Sequence, residues 1–335
     1  MLWNLVLLAG GCVLLYFGAE WVVRGAARIA TVLGFSKAVV GLTLVALGTS
    51  APEMFVNVLA GYRGETGFAL SNVSGSNLTN ICIGFGVCGL LGGLPIAWRT
   101  FRTDCAMLIV SVALVIAVLL LDSSQPHLPA WSTLPFLLLG AIYLFTLRRR
   151  IRDGQDELRP EESSAAWVLL SAGVFLAGIA ALYGGGRLVL DSAVGIAEQL
   201  QIPAALIGLT VVAAGTSVPD TVASVIAARR GEYEIAVGNL LGSNISNVLV
   251  VLTATIFASL AGGVSPADGD AGLAGPGVLV ASQNIVMDYF MVCLVSILFM
   301  LLALGARRIN QGLGSLLLVV YFGYMGYRVF IEWPS

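Results

Sequence analysis

Charge is scarce in this chain. Its 335 residues hold 17 Lys and Arg and 19 Asp and Glu, 11% in all, against 58% hydrophobic residues. A soluble domain cannot keep that much apolar surface from water, so a soluble enzyme or binding module is excluded. Histidine occurs once, at His127, and the five cysteines (Cys12, Cys82, Cys88, Cys105, Cys293) have no C-x-x-C spacing. A Cys/His metal centre is therefore excluded, and the thiols read as buried structural groups inside apolar spans. A formal net charge of −2 and a pI near 5.5 give a nucleic acid nothing to bind. Long polar segments are also missing. The one of real length, 147–167, is LRRRIRDGQDELRPEESSAAW, which reads as a solvated linker too short to fold into a regulatory domain.

What is present is a series of apolar runs long enough to cross about 30 Å of hydrocarbon as helices. The short alternating segments of a membrane β-barrel do not occur. Ten spans are expected, at about 3–32, 38–61, 67–93, 104–121, 131–148, 166–197, 203–228, 234–261, 283–304 and 311–331. The first runs on through Glu20 and Arg24 with no basic region ahead of it, and reads as a span rather than a cleaved signal peptide. The Gly- and Pro-rich stretch 261–283 reads as an external loop.

Fourteen of the 17 Lys and Arg fall in or beside the loops that follow odd-numbered spans; only Arg63, Arg187 and Arg328 lie on the other side. The positive-inside rule places the fourteen in the cytoplasm and both termini outside. Five spans per half then orient the halves oppositely. The expected fold is an all-α polytopic membrane protein of two inverted five-helix repeats: 1–148, a cytoplasmic linker at 149–165, and 166–335.

The halves are also related in sequence. Residues 41–80, GLTLVALGTSAPEMFVNVLAGYRGETGFALSNVSGSNLTN, align without a gap with 208–247, GLTVVAAGTSVPDTVASVIAARRGEYEIAVGNLLGSNISN, at an offset of 167 and with 20 of 40 positions identical. Each copy carries a carboxylate inside an apolar run, Glu53 or Asp220. A charge there costs several kcal/mol and marks a functional site. Pro52 and Pro219 remove an intrahelical hydrogen bond, so each helix is expected to break and free carbonyls near Ala46 and Ala213. Thr49 and Glu53 stand four apart on one face, as do Ser76 and Asn80, and Ser243 and Asn247. Gly75 and Gly242 allow a neighbouring helix to approach closely. Every donor offered is an oxygen, which suits hard cations such as Ca2+ or Na+.

Other polar residues read as structural. Glu20 with Arg24, and Arg187 with Asp191, are i, i+4 ion pairs. Asp104 and Asp288 read as helix caps or interfacial groups. His127, Glu65 and Glu232 read as solvated loop residues.

GLTLVALGTSAPE with NVSGSN, and GLTVVAAGTSVPD with NLLGSN, resemble the two α-repeats of the cation/Ca2+ antiporter superfamily, the sodium/calcium exchangers in particular. The resemblance implies a ten-helix secondary antiporter exchanging Ca2+ for Na+ by alternating access, with its site near the membrane midplane and spans one and six sliding as a gating pair. It implies Ca2+ ligands at Glu53, Asp220 and the backbone oxygens of Thr49 and Thr216. Na+ sites would be shared among Ala46, Ser50, Ser76, Ala213, Ser217 and Ser243, with Asn80 and Asn247 at the centre. The chain departs from the family pattern at Asp220, where Glu is usual, and at Asn247, where an acid is common; the second departure implies no K+ requirement. Exchange of H+ for Ca2+, or of Na+ for H+, is the alternative. An intramembrane aspartyl protease would show paired YD and GxGD motifs, which this sequence lacks. The expected partners are the transported Ca2+ and Na+ and the lipid bilayer of a bacterial or archaeal inner membrane. No cofactor, enzymatic activity or obligate protein partner is expected.

Overall fold

The computed structural model describes residues 2–122, 126–154, 165–199, 215–262 and 278–332. Nearly all of them are helical: α1 (Leu2–Leu33), α2 (Lys37–Val40), α3 (Ala46–Thr49), α4 (Ala51–Tyr62), α5 (Thr66–Thr79), α6 (Phe85–Leu90), α7 (Trp98–Leu119), α8 (Thr133–Gly154), α9 (Ala165–Gln199), α10 (Val218–Arg229), α11 (Tyr233–Ser246), α12 (Leu252–Gly262), α13 (Gln283–Ala306) and α14 (Gln311–Glu332). Among the described residues, eight continuous helices are long and apolar enough to span a membrane. The pair Lys37–Thr49 and Ala51–Tyr62, bent by 49°, passes the same test together and counts as a ninth if it is taken as one broken span. α10 is the repeat counterpart of α4. The start of the expected span at 203–228 lies outside the described residues.

The burial pattern is that of a protein solvated by lipid. Leu134, Leu169 and Phe330 are 71%, 73% and 81% exposed, whereas Glu53 and Asp220 are 1% and 0% exposed. Polar groups lie inside and apolar ones outside because hydrocarbon offers no hydrogen bonds. Cys12 is exposed on this outer face and Cys293 is half-buried, so only Cys82, Cys88 and Cys105 are the buried thiols the sequence suggested.

The repeated Arg-Gly-Glu tripeptides end α4 and α10. Gly64 (φ 77°) and Gly231 (φ 78°) take the left-handed conformation that glycine adopts without steric cost. The Glu65 and Glu232 amides then donate back to the Ala60 and Ala227 carbonyls, each at 2.9 Å. Glu232 is more than a solvated turn residue, because its carboxylate meets Lys37 Nζ at 2.7 Å.

Two strand pairs, which the apolar periodicity does not reveal, tie loops together. β1 (Leu94–Pro95) is antiparallel to β4 (Arg308–Ile309), and β2 (His127–Leu128) to β3 (Leu279–Val280). They lie at opposite ends of α7, so the loops after α6 and α13 share one end of the bundle and those after α7 and α12 share the other. His127 pairs with Val280 and is half-buried rather than free in a solvated loop.

α1 and α9 pack along their length through glycines seven residues apart. A Cβ on Gly18 would stand 2.8 Å from the Leu182 amide nitrogen, and one on Gly185 2.8 Å from that of Leu15. The backbones approach this closely because no side chain intervenes, the packing mode favoured in lipid, where helices gain no hydrophobic drive to associate.

Asp104 and Asp288 are not helix caps, since both lie beyond the first turn of their helices. Asp104 is fully buried, accepting from Tyr143 Oη at 3.0 Å and from Arg150 Nη1 at 2.8 Å across α7 and α8. Asp288 takes Tyr324 Oη at 2.6 Å and Arg328 Nε at 3.1 Å across α13 and α14. Each repeat thus fastens its last two spans with an Asp-Tyr-Arg cluster. Arg150→Met leaves a buried carboxylate without its cation and is expected to cost about 3 kcal/mol. The readout is a lower melting temperature in detergent, recovered in the double variant with Asp104→Asn. Equal melting of Arg150→Met and wild type would refute the ion-pair account.

Candidate cation site

The site begins with a break in the backbone. Ser50 (φ −86°, ψ 3°) and Ser217 (φ −90°, ψ 2°) leave helical geometry at matched places. Pro52 and Pro219 are the second residues of α4 and α10, where a missing N–H is tolerated. The freed carbonyl is not that of Ala46, which accepts the Ser50 amide at 3.0 Å. Pro52 withholds the i+4 donor from Gly48 instead, as Pro219 does from Gly215. Glu53 and Asp220 consequently stand in the first turns of α4 and α10, where the helix dipole favours negative charge. Among the described residues, wide π-turns occur at Gly41–Val45, shortly before the first break, and at Asn80–Gly84 and Asn247–Val251, directly after α5 and α11. Such turns concentrate at functional sites.

The two motifs of each repeat meet. Ser76 Oγ lies 3.5 Å from Glu53 Oε1, and Ser243 Oγ, its counterpart, 3.1 Å from Asp220 Oδ1. Cross-repeat contacts join the halves. Ser76 and Ser217 share a hydroxyl hydrogen bond of 2.6 Å, Asn80 Nδ2 donates to Asp220 Oδ2 at 2.8 Å, and Ser243 Oγ reaches the Ala46 carbonyl at 3.5 Å. Asn247 Nδ2 donates to Asn77 Oδ1 at 3.1 Å, and Asn77 Nδ2 to the Asn244 carbonyl at 3.2 Å.

Four asparagines in this assembly were not singled out from the sequence. Asn239 donates to the Asp220 carbonyl (3.1 Å) and to Ser224 Oγ (2.9 Å), and its Oδ1 accepts the Thr49 hydroxyl at 3.0 Å. Asn72 Oδ1 accepts the Thr216 hydroxyl at 3.3 Å. Asn77 and Asn244 stitch α5 to α11. The available signal was identity at matched repeat positions: Asn72 with Asn239 and Asn77 with Asn244 are 167 apart. Asn72, Ser76 and Asn80 form one i, i+4, i+8 stripe, as do Asn239, Ser243 and Asn247.

Eleven of the twelve candidate residues lie among the described ones, and Ala213 does not. Glu53, Ser76 and Ser217 form one group; Asp220, Asn80, Ser243 and the Ala46 carbonyl form the adjoining one. The Thr49 and Thr216 hydroxyls are engaged by asparagines, leaving their backbone oxygens as the groups on offer. Glu53 Oε2, Ser50 Oγ, Asn80 Oδ1 and Asn247 Oδ1 are buried without a hydrogen-bond partner. Buried acceptors in that condition are costly and call for a cation or water. The donor set is two carboxylates among neutral oxygens. No cluster of three or more His, Cys, Asp or Glu occurs among the described residues.

The family profile described as sodium/calcium exchanger protein matches residues 3–148 and 170–330. The chain belongs to the sodium/calcium exchanger family. Among relatives in that family range, CaxA of Alkalimonas amylolytica is 34% identical over 94% of this chain and 95% of its own length. The sodium/calcium exchanger MaX1 of Methanosarcina acetivorans is 28% identical over 74% of this chain and 81% of its own. A solved structure of the sodium-calcium exchanger NCX_Mj matches with a TM-score of 0.76 and 26% identity, over 96% of this chain and 97% of that one. This exchanger-family protein is therefore a multi-pass membrane antiporter rather than an enzyme.

Proposed function

We propose that the protein exchanges Ca2+ for Na+ across an inner membrane by alternating access at the Glu53–Asp220 site. The observation that carries this reading is the pairing of two buried carboxylates with uncharged hydroxyl, amide and carbonyl groups, built from two sequence repeats that meet at helix breaks. Two negative charges are balanced by one Ca2+ or two Na+, so the two cations compete for the same oxygens. The loaded site is neutral and can be moved through a low dielectric. An empty dianion is penalised, which couples one ion's passage to the other's return. Glu53, Asp220 and the backbone oxygens of Thr49 and Thr216 would hold Ca2+. Ser50, Ser76, Ser217, Ser243 and the carbonyls of Ala46 and Ala213 would share Na+, with Asn80 and Asn247 between them. The Arg-rich end, with the 149–165 linker, faces the cytoplasm in this reading.

The test is uptake of radiolabelled Ca2+ by proteoliposomes loaded with Na+, beside matched vesicles holding only a proton gradient. Uptake driven by internal Na+ supports the proposal, and uptake driven by the proton gradient alone replaces Na+ with H+ as the coupling ion. Asn247→Asp adds a third anion beside Asn77 and is expected to shift monovalent selectivity and the charge moved per cycle. An unchanged ion profile would remove Asn247 from the site.

A further inference from the structure

The inverted repeats are matched in sequence but not in the charges that join their ends. Glu20 of α1 accepts two bonds from Arg230 at the end of α10: Nε to Oε1 at 2.9 Å and a shorter one from Nη2 to Oε2. Arg24 shares the same carboxylate at 2.8 Å. The pair joins α1, half of the α1–α9 unit, to the end of α10, beside the Lys37–Glu232 bridge.

Applying the offset of 167 turns Glu20 into Arg187, Arg24 into Asp191 and Arg230 into Arg63. At the opposite end of the bundle the equivalent partners are thus two arginines. Arg187 pairs instead with Asp191 on its own helix at 3.6 Å, both side chains being mostly exposed. Packing follows the charges: α1 lies along α10, while among the described residues α9 makes no comparable contact with α4.

We propose that Glu20 and Arg230 are positioning residues for transport. They latch the α1–α9 unit against the end of α10 and hold that end of the exchanger closed, while like charge at Arg187 and Arg63 leaves the other end without a latch. The inference rests on the alternating-access reading, in which the α1–α9 unit slides across the site. A bidentate Arg-carboxylate pair at a partly exposed position supports a bias of about fivefold between the two states.

Spin labels at Tyr62→Cys on α4 and Gln199→Cys on α9, with Cys12 and Cys293 replaced by Ser, report closure at the unlatched end as a shorter separation. Glu20→Gln and Arg230→Gln are each expected to raise the short-distance population about fivefold, and the exchange Glu20→Arg with Arg230→Glu to restore it. Arg187→Glu sets a carboxylate against Arg63 without touching the latch, and is expected to raise the same population. Unchanged distances in Glu20→Gln, Arg230→Gln and Arg187→Glu overturn the proposal. Shifted distances with no Ca2+ counterflow in the wild type would uphold the latch and overturn the exchange reading.

Discussion

Glu53→Gln is expected to abolish Ca2+ uptake while leaving the folded bundle in the membrane. Glu53 is 1% exposed and supplies one of the site's two negative charges. Its Oε2 has no hydrogen-bond partner among the described residues, and its Oε1 lies 3.5 Å from the Ser76 hydroxyl, with the Ser217 hydroxyl beside it. The carboxylate is therefore held for something other than its neighbours. Removing one buried ligand charge from a paired arrangement costs about 3–5 kcal/mol, a loss of Ca2+ affinity of about a hundredfold or more. The amide keeps the side chain's shape, and the helix break is made by Ser50 and Pro52, so the local fold does not depend on the charge. Without bound cations the variant is expected to melt no lower than wild type, since one of two desolvated carboxylates is gone. Ca2+ binding by calorimetry and melting in detergent check both halves of this expectation. Retained uptake would dismiss Glu53 as a ligand.

The second large effect is expected at Gly242, next to the Ser243 that meets Asp220. A Cβ there would lie 2.5 Å from the Leu42 carbonyl oxygen and 2.8 Å from Ala46 Cβ. The first obstacle is backbone and cannot rotate away. Gly242→Val therefore pushes α11 off the π-turn Gly41–Val45, at about 1–3 kcal/mol of strain. It also carries Ser243 away from the Ala46 carbonyl, so transport is expected to fall more steeply than stability. The contrast is Gly305→Ala, where a Cβ meets nothing within 4 Å. That change is expected to leave uptake intact and to stabilise slightly, because Ala narrows the unfolded ensemble. Equal uptake in both variants would show that α11 need not touch α3 for the site to work.

Much of the fold was legible because lipid imposes simple rules on a chain. Long apolar runs had to be helices, and Pro beside a carboxylate at two matched positions had to be a break with a purpose. The strand pairs escaped because a two-residue ladder has no periodicity. The interior bonding of Asp104 and Asp288 escaped because an acid near the start of a helix also suits a cap; only the arrival of Tyr143 with Arg150, and of Tyr324 with Arg328, distinguishes the two. Glu232 escaped likewise, since Lys37 is 195 residues away in sequence and 2.7 Å away in space.

The sequence by itself determined the membrane class, the duplication, the two carboxylates and the polar, uncharged character of the residues around them, because composition and repeat identity are properties of the chain. Only the tertiary structure decided which groups meet. Asn80 reaches Asp220 rather than the acid of its own repeat, Ser76 reaches Ser217, and Asn239 holds Thr49. These contacts cross between repeats, and a gapless alignment pairs equivalent residues rather than touching ones. The one-sided Glu20–Arg230 pair belongs to the same category, since its asymmetry exists only once two opposed copies share one bundle.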